Sequence, residues 1–311
     1  MKILITGACG QLGSDVMRAV LEHGHICIGS YHSKKASDSL TVSDKPCEEK
    51  MTYVRLDITD RDTVTEIIGK YRPDAIIHCA SWTEVDAAED EENRETVRKI
   101  NSDGTRFIAE AARNIDAKML YISTDYVFSG QGERPWEPDD ECLNPLSVYA
   151  KSKRDGELAV SKILEKYFIV RTAWAFGSHG KNFVNTMIRI GKTHDMVRVV
   201  NDQIGTPTYT SDLSRLIVDM IESEKYGYYH ATNSEEYPGG YISWYDFCCE
   251  IYRQYGIDTN VIPVSTAEYG MNKAIRPHNS RLDKSKLAKM GFTPLPTWKD
   301  ALARYLKETK L

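Results

Sequence analysis

The chain has 311 residues, a net charge of −5, and 41% hydrophobic and 27% charged residues. This length and balance suit a globular protein with one large core or two lobes of unequal size. The acidic balance argues against nucleic acid or an anionic membrane as the main partner. No stretch approaches the roughly 18–20 apolar residues that span a bilayer.

The N-terminal segment, the cysteines and the carboxylates predict a cytoplasmic protein without a metal. Met1–Ile5 runs directly into a glycine turn and lacks the longer apolar core of a signal peptide. The seven cysteines sit mostly in apolar runs, so we expect reduced, buried thiols. Cys248 and Cys249 have no second ligand pair at a useful spacing, and no carboxylate cluster compels a metal.

Short apolar runs alternate with helical patterns in the first half of the chain. Strands that are apolar on both faces predict a parallel sheet covered by helices on each side, which is a Rossmann-type, doubly wound α/β fold. The predicted strands are Lys2–Thr6, His25–Tyr31, Tyr53–Leu56, Ala75–Cys79, Lys118–Ser123 and Phe168–Thr172. The predicted helices are Gln11–His23, Asp62–Tyr71, Arg94–Ile115 and Ser152–Lys166.

The pattern loosens after Thr172, where prolines and glycines become frequent. We predict a first domain over residues 1–173, with 208–230 packing back on it, and a smaller mixed α/β lobe over 174–311. The helical patterns of this second part are Asn182–Thr193, Ser211–Glu222, Ser243–Tyr255 and Thr297–Thr309.

A glycine-rich turn follows the first strand and opens the first helix. Gly7 permits a tight turn, Gly10 lets a pyrophosphate approach the backbone, and Gly13 lets helix and strand pack closely. The helix N-terminus supplies N–H groups and partial positive charge to the phosphates. This context predicts a dinucleotide-binding domain at residues 1–173 and leaves 174–311 as the substrate lobe.

The end of the second predicted strand bears on the choice between NADH and NADPH. A carboxylate there would bind the ribose 2′-hydroxyl, but the segment from Ser30 through His32 to Lys34 has none. Lysines and hydroxyls suit a 2′-phosphate better, so NADPH is favoured and NADH stays an alternative. Asp57, after the third strand, either receives the adenine amino group or caps the helix that starts near Asp60.

A tyrosine and a lysine four residues apart provide a candidate acid for catalysis. On the first turn of a helix, Tyr149 and Lys153 share one face. A nearby ammonium lowers the pKa of a phenol, which is ordinarily about 10, so that it can give a proton to a carbonyl oxygen. Ser123 and Thr124, at the end of a strand, are candidates to hold that oxygen.

Together these elements resemble the extended short-chain dehydrogenase/reductase family, and within it the dTDP-4-dehydrorhamnose reductases. The resemblance covers nearly the whole chain. It rests on Thr6–Gly13, Ser123–Gly130, Tyr149–Lys153, Arg171–Trp174, Asn201–Thr208 and the segment Arg276–Asp283. It implies that NADPH or NADH reduces dTDP-4-dehydro-β-L-rhamnose to dTDP-L-rhamnose, in rhamnose and cell-surface polysaccharide synthesis.

The resemblance also implies roles for individual residues. Thr124, Tyr149 and Lys153 form the catalytic triad, and Lys153 also binds the nicotinamide ribose. The implied substrate-binding residues are Thr124, Asp125, Trp174, Asn201, Gln203 and Arg276. The cofactor-binding residues are Gly7, Gly10, Gln11, Leu12, Gly13, Ser30, His32, Lys34, Asp57, Ile58, Ala80, Ser81, Trp82, Thr83, Tyr149 and Lys153.

Several alternatives stay open at this point. Trp174 is otherwise a core aromatic, Arg276 a partner of a surface carboxylate, and the segment Asn201–Gln203 a turn. A dehydratase on this fold needs a second acid, but Tyr126 follows Asp125 where an acidic pair would stand. An epimerase or a non-catalytic, cofactor-binding regulatory subunit also remains. The oligomeric state is a monomer or a homodimer.

Overall fold

The computed structural model describes residues 1–32, 50–141 and 143–309. Within these ranges, seven strands form one sheet, and three further pairs of short strands lie elsewhere in the chain. The strands of the large sheet are β1 Lys2–Thr6, β2 Ile26–Tyr31, β3 Met51–Arg55, β4 Ala75–His78, β5 Lys118–Thr124, β6 Tyr167–Thr172 and β11 Gly227–His230. The shorter strands are β7 Ala175–Phe176, β8 Met196–Val200, β9 Ile204–Gly205, β10 Thr208–Tyr209, β12 Ile242–Ser243 and β13 Asn260–Val264.

Helices follow most of these strands. The helices of the first half are α1 Gln11–Glu22, α2 Arg61–Tyr71, α3 Glu91–Arg98, α4 Thr105–Asn114 and α5 Val148–Ile163. Those of the second half are α6 Phe183–Gly191, α7 Thr210–Glu222, α8 Trp244–Tyr255, α9 Thr266–Tyr269, α10 Ser285–Lys289 and α11 Trp298–Thr309.

The strand order in the large sheet is β11-β6-β5-β4-β1-β2-β3. The pairs β1–β2, β2–β3, β1–β4 and β4–β5 are parallel. The order reverses beside β1, and ligands of doubly wound sheets bind outside the carboxyl ends of the strands at such a reversal. Thr6 and His78 are register partners at the ends of β1 and β4, so they mark that point. The predicted Rossmann-type fold is confirmed.

The strands at the centre of the sheet are apolar on both faces because both faces are covered. Ile3, Leu4 and Ile5 on β1 are fully buried, as are Ile76 and Ile77 on β4. Burying side chains of this size contributes about 1.5–3 kcal/mol each. This continuous burial explains why the strands lack the alternating pattern of a half-exposed sheet.

One predicted helix is interrupted. The single helix expected over Arg94–Ile115 is α3, a π-helical segment Lys99–Gly104, and then α4. π-helical turns inside α-helices are rare, and they are frequent at functional sites. A Cβ on Gly104 would lie 3.0 Å from Ile58 Cγ1, so the glycine lets the segment pack closely against Ile58. Neither feature alters the apolar periodicity enough to be seen in the sequence.

The chain forms two compact units. The first comprises Met1–Ser123, Val148–Val170 and Ser214–Tyr228, and its core lies between the large sheet and its helices. The second comprises Thr124–Ser147, Arg171–Leu213 and Tyr229–Leu311. The core of the second unit is rich in aromatic side chains, which are Phe176, Tyr209, Phe247, Trp298 and Tyr305.

Two predictions from composition concern membranes and thiols. Among the described helices, none combines the length and the apolar character needed to cross a bilayer. The cysteines of the described ranges are free, and Cys27 and Cys248 are buried. The other two cysteines of the sequence, Cys47 and Cys142, lie outside those ranges.

Burial of the central strands makes a specific prediction for two isoleucines of the same sheet. We expect Ile76→Ala to lower the free energy of unfolding by about 2–5 kcal/mol, because it leaves a cavity in a close-packed core. Ile26→Ala, at a side chain that is 44% exposed, is the matched control and should change it by less than about 1 kcal/mol. Urea unfolding of both variants measures this difference. Equal losses would contradict the assigned burial.

Candidate active site

The turn between β1 and α1 leaves no room for side chains at two glycines. Gly7 has φ +67°, and a Cβ there would lie 2.8 Å from the backbone N and Cα of Ala80. A Cβ on Gly13 would lie 2.1 Å from the carbonyl oxygen of Gly7. These distances are far below van der Waals contact, so helix α1, the turn and the segment after β4 can approach only because both residues are glycine.

The N-terminus of α1 offers a site for an anion. Its N-cap is Gly10, which has no side chain to accept hydrogen bonds from the first turn, and that turn contains no acidic residue. The N–H groups of a helix's first turn lack helical partners and carry partial positive charge. The arrangement fits the phosphates of a dinucleotide, as the sequence predicts.

A buried hydrogen-bond network ties the glycine turn to β4. The Thr6 hydroxyl lies 2.6 Å from His78 Nδ1, and the N–H of Ala80 donates to Thr6 Oγ1. His78 Nε2 lies 3.1 Å from Thr105 Oγ1, and the Thr105 hydroxyl donates to the carbonyl of Asn101. Burial, helped by the charge of Lys153, lowers the pKa of His78 to about 3, so the imidazole is neutral. The network therefore fixes the backbone of Ala80 beside Gly7.

Asn101, in the π-helical segment, holds the loop that follows β4. Its Oδ1 accepts the Ser81 hydroxyl at 2.9 Å and the Trp82 N–H at 2.8 Å. Its Nδ2 donates to the carbonyl of Trp82 and, at 2.9 Å, to the hydroxyl of Ser152 on α5. One buried amide thus connects the predicted cofactor loop to the helix that carries Tyr149 and Lys153.

Lys153 is buried at the carboxyl end of the sheet. Its Nζ donates to the carbonyl of Ile122 at 2.7 Å and lies 4.2 Å from the centre of the Tyr121 ring. Burial lowers the pKa of this lysine to about 7, although Glu157 and Cys79 oppose that change. Tyr149 precedes it by one turn of α5, which begins at Val148, four residues before the predicted start. The two predicted catalytic residues therefore share a helix face.

The two hydroxyls predicted to hold the ketone oxygen both donate to carboxylates. The Ser123 hydroxyl donates to Glu157 Oε1 at 2.6 Å, and Glu157 also accepts from Arg154. The Thr124 hydroxyl donates to Asp125 Oδ1 at 3.0 Å, and its oxygen accepts the N–H of Tyr126. In this arrangement neither hydrogen is directed at a ligand.

The predicted residues for the adenosine end lie at the ends of β2 and β3. His32 Nε2 lies 3.2 Å from Asp57 Oδ2, and Asp57 also accepts from the N–H and hydroxyl of Thr59. Burial raises the pKa of Asp57, but the bonds from Thr59 and His32 outweigh it, and the net change is downward. The cap of α2 is Asp60. Ser30 is buried, and Lys34 lies outside the described residues.

In the second unit, two tryptophans stack. Trp174 has a positive φ of 50°, which is uncommon for a bulky residue, and its ring lies 3.9 Å from that of Trp244. A Cβ on Gly205 would lie 3.2 Å from Trp174 Cε2, so this glycine makes room for the indole. Strained residues of this kind cluster at functional sites, so Trp174 remains a candidate for the sugar pocket.

One predicted substrate residue, Arg276, lies in the wall of a cavity of about 350 Å³ in the second unit. Arg276 and His278 line it, as does Thr266. Gln203 is buried and its Nε2 donates to the hydroxyl of Thr266 at 3.0 Å, whereas Asn201 is exposed. The segment Asn201–Gln203 is therefore bonded to the wall of this cavity.

The whole chain, residues 1–311, matches the family described as "RmlD substrate binding domain". The chain belongs to the RmlD substrate binding domain family. The resemblance found from the sequence motifs is confirmed.

Individual relatives agree with this membership over nearly their full lengths. The spore coat polysaccharide biosynthesis protein SpsK of Bacillus subtilis is 36% identical, over 99% of this chain and 97% of the relative. A dTDP-4-dehydrorhamnose reductase of Streptomyces griseus is 39% identical, over 96% of this chain and 91% of the relative. The crystal structure of a dTDP-4-dehydrorhamnose reductase of Bacillus anthracis in complex with NADP is 37% identical, with a TM-score of 0.83 and coverage of 99% and 100%.

At the candidate site, the sequence motifs missed the residues that hold the predicted ones. His78 and Asn101 connect the glycine turn, the loop after β4 and helix α5, yet neither belongs to a motif. The available signals were a histidine inside an apolar strand and an asparagine on the buried stripe of a predicted helix. Both signals become interpretable only when the sheet brings the segments together.

The close approach at Gly13 predicts opposite effects for two helical glycines. We expect Gly13→Ala to lower the free energy of unfolding by about 1–3 kcal/mol, because the new methyl group overlaps the Gly7 carbonyl. In α2, a Cβ on Gly69 would meet no atom within 4 Å. Gly69→Ala should therefore raise the free energy of unfolding by about 0.5–1 kcal/mol, since alanine favours a helix. Thermal and urea unfolding measure both. Stabilisation by Gly13→Ala would refute the crowded turn.

Proposed function

We propose that this protein uses NADPH to reduce the 4-keto group of a dTDP-linked 6-deoxysugar, converting dTDP-4-dehydro-L-rhamnose to dTDP-L-rhamnose. The observation that carries the proposal is the buried Lys153, one turn after Tyr149, with its Nζ on the carbonyl of Ile122. Lys153 lies near His78 and Cys79, at the edge of the sheet that also carries the glycine turn. Its relatives from Streptomyces griseus and Bacillus anthracis are named dTDP-4-dehydrorhamnose reductases.

The residues of the first unit fit a nicotinamide dinucleotide. No side chain caps the N-terminus of α1, and Gly7 and Gly13 allow the turn to pack closely against the backbone beside it, so the first N–H groups of α1 are placed to meet a phosphate. The Bacillus anthracis relative was crystallised with NADP, which supports NADPH as the reductant and leaves NADH as the alternative. In this proposal the first unit binds the dinucleotide and the second binds the nucleotide sugar.

The proposed chemistry divides between the cofactor and the chain. The bound nicotinamide supplies the hydride that reduces the ketone carbon. Tyr149 gives its phenolic proton to the ketone oxygen, and Lys153, when it carries its proton, stabilises the resulting phenolate. Trp174, Gln203 and Arg276 are proposed to bind the sugar and its diphosphate, and Asp125 is proposed to lie beside the substrate.

The proposed setting of the reaction follows from the family and from composition. We infer a cytoplasmic enzyme, a monomer or homodimer, that serves rhamnose and cell-surface polysaccharide synthesis. The relative SpsK is named for spore coat polysaccharide biosynthesis, which supports this role. Its partners would be small molecules rather than nucleic acid or a membrane, since the chain carries a net charge of −5.

The decisive assay is oxidation of NADPH by the purified protein with a panel of keto-sugar nucleotides, followed by product analysis. Loss of cofactor absorbance with dTDP-4-dehydrorhamnose and formation of dTDP-L-rhamnose would support the proposal. Faster turnover of another keto-sugar nucleotide would replace the substrate but keep the reaction class. Cofactor binding without any turnover would favour a regulatory subunit and refute the enzyme.

Tyr149→Phe tests the proton donor. We expect kcat to fall by about 10²–10⁴-fold, because the proton transfer to the ketone oxygen is lost. Tyr255→Phe is the control. The phenol of Tyr255 also pairs with a lysine, since it accepts a hydrogen bond from Lys192 at 2.7 Å, but Tyr255 is not one of the proposed site residues. Full activity in the Tyr149 variant would remove the proposed donor.

The low pKa of Lys153 predicts proton uptake when the cofactor binds. With a pKa of about 7 the amine is mostly neutral at pH 8, and a nearby anionic dinucleotide should raise that pKa and restore the ammonium. We expect uptake approaching one proton at pH 8 and close to none at pH 5.5. Calorimetry in buffers of different ionisation enthalpy measures it.

The same titration with NADH is needed because NADH lacks the 2′-phosphate, which itself takes up protons. Lys153→Met should abolish the uptake, whereas Lys192→Met, at an exposed lysine, should leave it unchanged. Binding by the unaltered protein at pH 8 without proton uptake would mean that Lys153 does not sense the cofactor.

A further inference from the structure

The direction of the Thr124 hydroxyl limits what that residue can do. A hydroxyl has one hydrogen, and an ionised carboxylate can only accept. The Thr124 hydrogen therefore points to Asp125 Oδ1, 3.0 Å away, while Thr124 Oγ1 accepts the N–H of Tyr126. With Asp125 ionised, Thr124 cannot donate a hydrogen bond to the oxygen of a ketone.

The surroundings of Asp125 disfavour the ionised form. The residue is 2% exposed, and within the described part of the chain its Oδ2 has no hydrogen-bond partner. A buried ionised oxygen without a partner is costly, whereas a neutral carboxyl loses less on burial. Burial raises the pKa of Asp125 to about 6, although the nearby hydroxyls of Ser280 and Thr124 act in the opposite direction.

We propose that Asp125 is a positioning residue that, when neutral, donates its carboxyl O–H to Thr124 Oγ1 and so frees the Thr124 hydrogen for the substrate ketone oxygen. This inference rests on the proposed function. The carboxyl takes one proton from solvent, and no bond between heavy atoms forms or breaks. Thr124 keeps its hydrogen and changes only the direction in which it donates, while Tyr149 remains the proton donor.

The carboxyl of Asp125 is itself the group that titrates. The groups that act on it are the hydroxyls of Ser280 and Thr124 and the N–H groups of Asp125 and Tyr126, and all of these are uncharged near neutral pH. The neutral form predominates below the pKa of Asp125 and is lost as pH rises through it. The fraction of molecules with Thr124 as a donor therefore falls with rising pH.

Asp125→Asn separates this role from a purely structural one. The carboxamide donates to Thr124 at every pH, so we expect the variant to lose the fall in kcat that begins near pH 6 in the unaltered enzyme. At pH 8 its kcat should equal or exceed that of the unaltered enzyme. Asp300→Asn, at a carboxylate paired with Arg304 that is 55% exposed, should keep the original pH profile.

Two kinetic results would overturn the inference. One is a turnover rate that falls in Asp125→Asn at all pH values, by about two orders of magnitude or more, which would mean that the ionised carboxylate is required. The other is an unchanged pH profile in that variant. Aspartate and asparagine have nearly equal side-chain volumes, so the substitution at position 125 preserves the packing. A thermal unfolding midpoint checks that the Asp125→Asn variant folds.

A second measurement does not depend on turnover. Carbon-13 NMR of labelled aspartate carboxyls, assigned with Asp125→Asn, should show one signal that titrates near pH 6 in the free protein. Titration of Asp125 near pH 4 together with normal turnover would refute this inference and leave the proposed function intact. Failure of the unaltered enzyme to reduce any keto-sugar nucleotide would instead refute the proposed function on which this inference rests.

Discussion

The close packing of helix α5 against strand β5 is the constraint on which the rest of the candidate site depends. A Cβ on Gly156 would lie 2.4 Å from the Tyr121 hydroxyl and 2.8 Å from the carbonyl of Asn101. Because Gly156 has no side chain, α5 lies close enough for Lys153 to bond the carbonyl of Ile122. The same approach removes Lys153 from water and lowers its pKa. The position of the helix therefore also determines the protonation of the lysine.

Hydroxyl–carboxyl pairs at the end of β5 give the candidate site its electrostatic character. Ser123 bonds Glu157, which also forms an ion pair with Arg154, so a cation lies beside this carboxylate. Asp125, by contrast, has uncharged hydroxyl and N–H groups as its partners among the described residues. Two acidic residues that bond neighbouring hydroxyls thus occupy different environments, and the difference suits one to a structural role and the other to a change of protonation.

The sequence predicted much of the first unit because its signals are local. The strand Lys2–Thr6 and the glycine turn were predicted as observed, since an apolar run and glycine spacing encode them directly. The π-helical break between Arg98 and Thr105 was missed because it inserts residues without removing the apolar stripe. The second unit was harder to predict, since its short strands pair over long separations that periodicity does not report.

The sequence by itself determined the family, the fold class and the residue types of the candidate site, because glycine turns and the Tyr149–Lys153 spacing act over a few residues. Only the tertiary structure decided the protonation and the hydrogen-bond direction of those residues. The neutral His78, the lysine with a pKa of about 7 and the buried Asp125 arise from burial and from partners distant in the chain. Desolvation is a property of the packed protein, so no local pattern of residues encodes it.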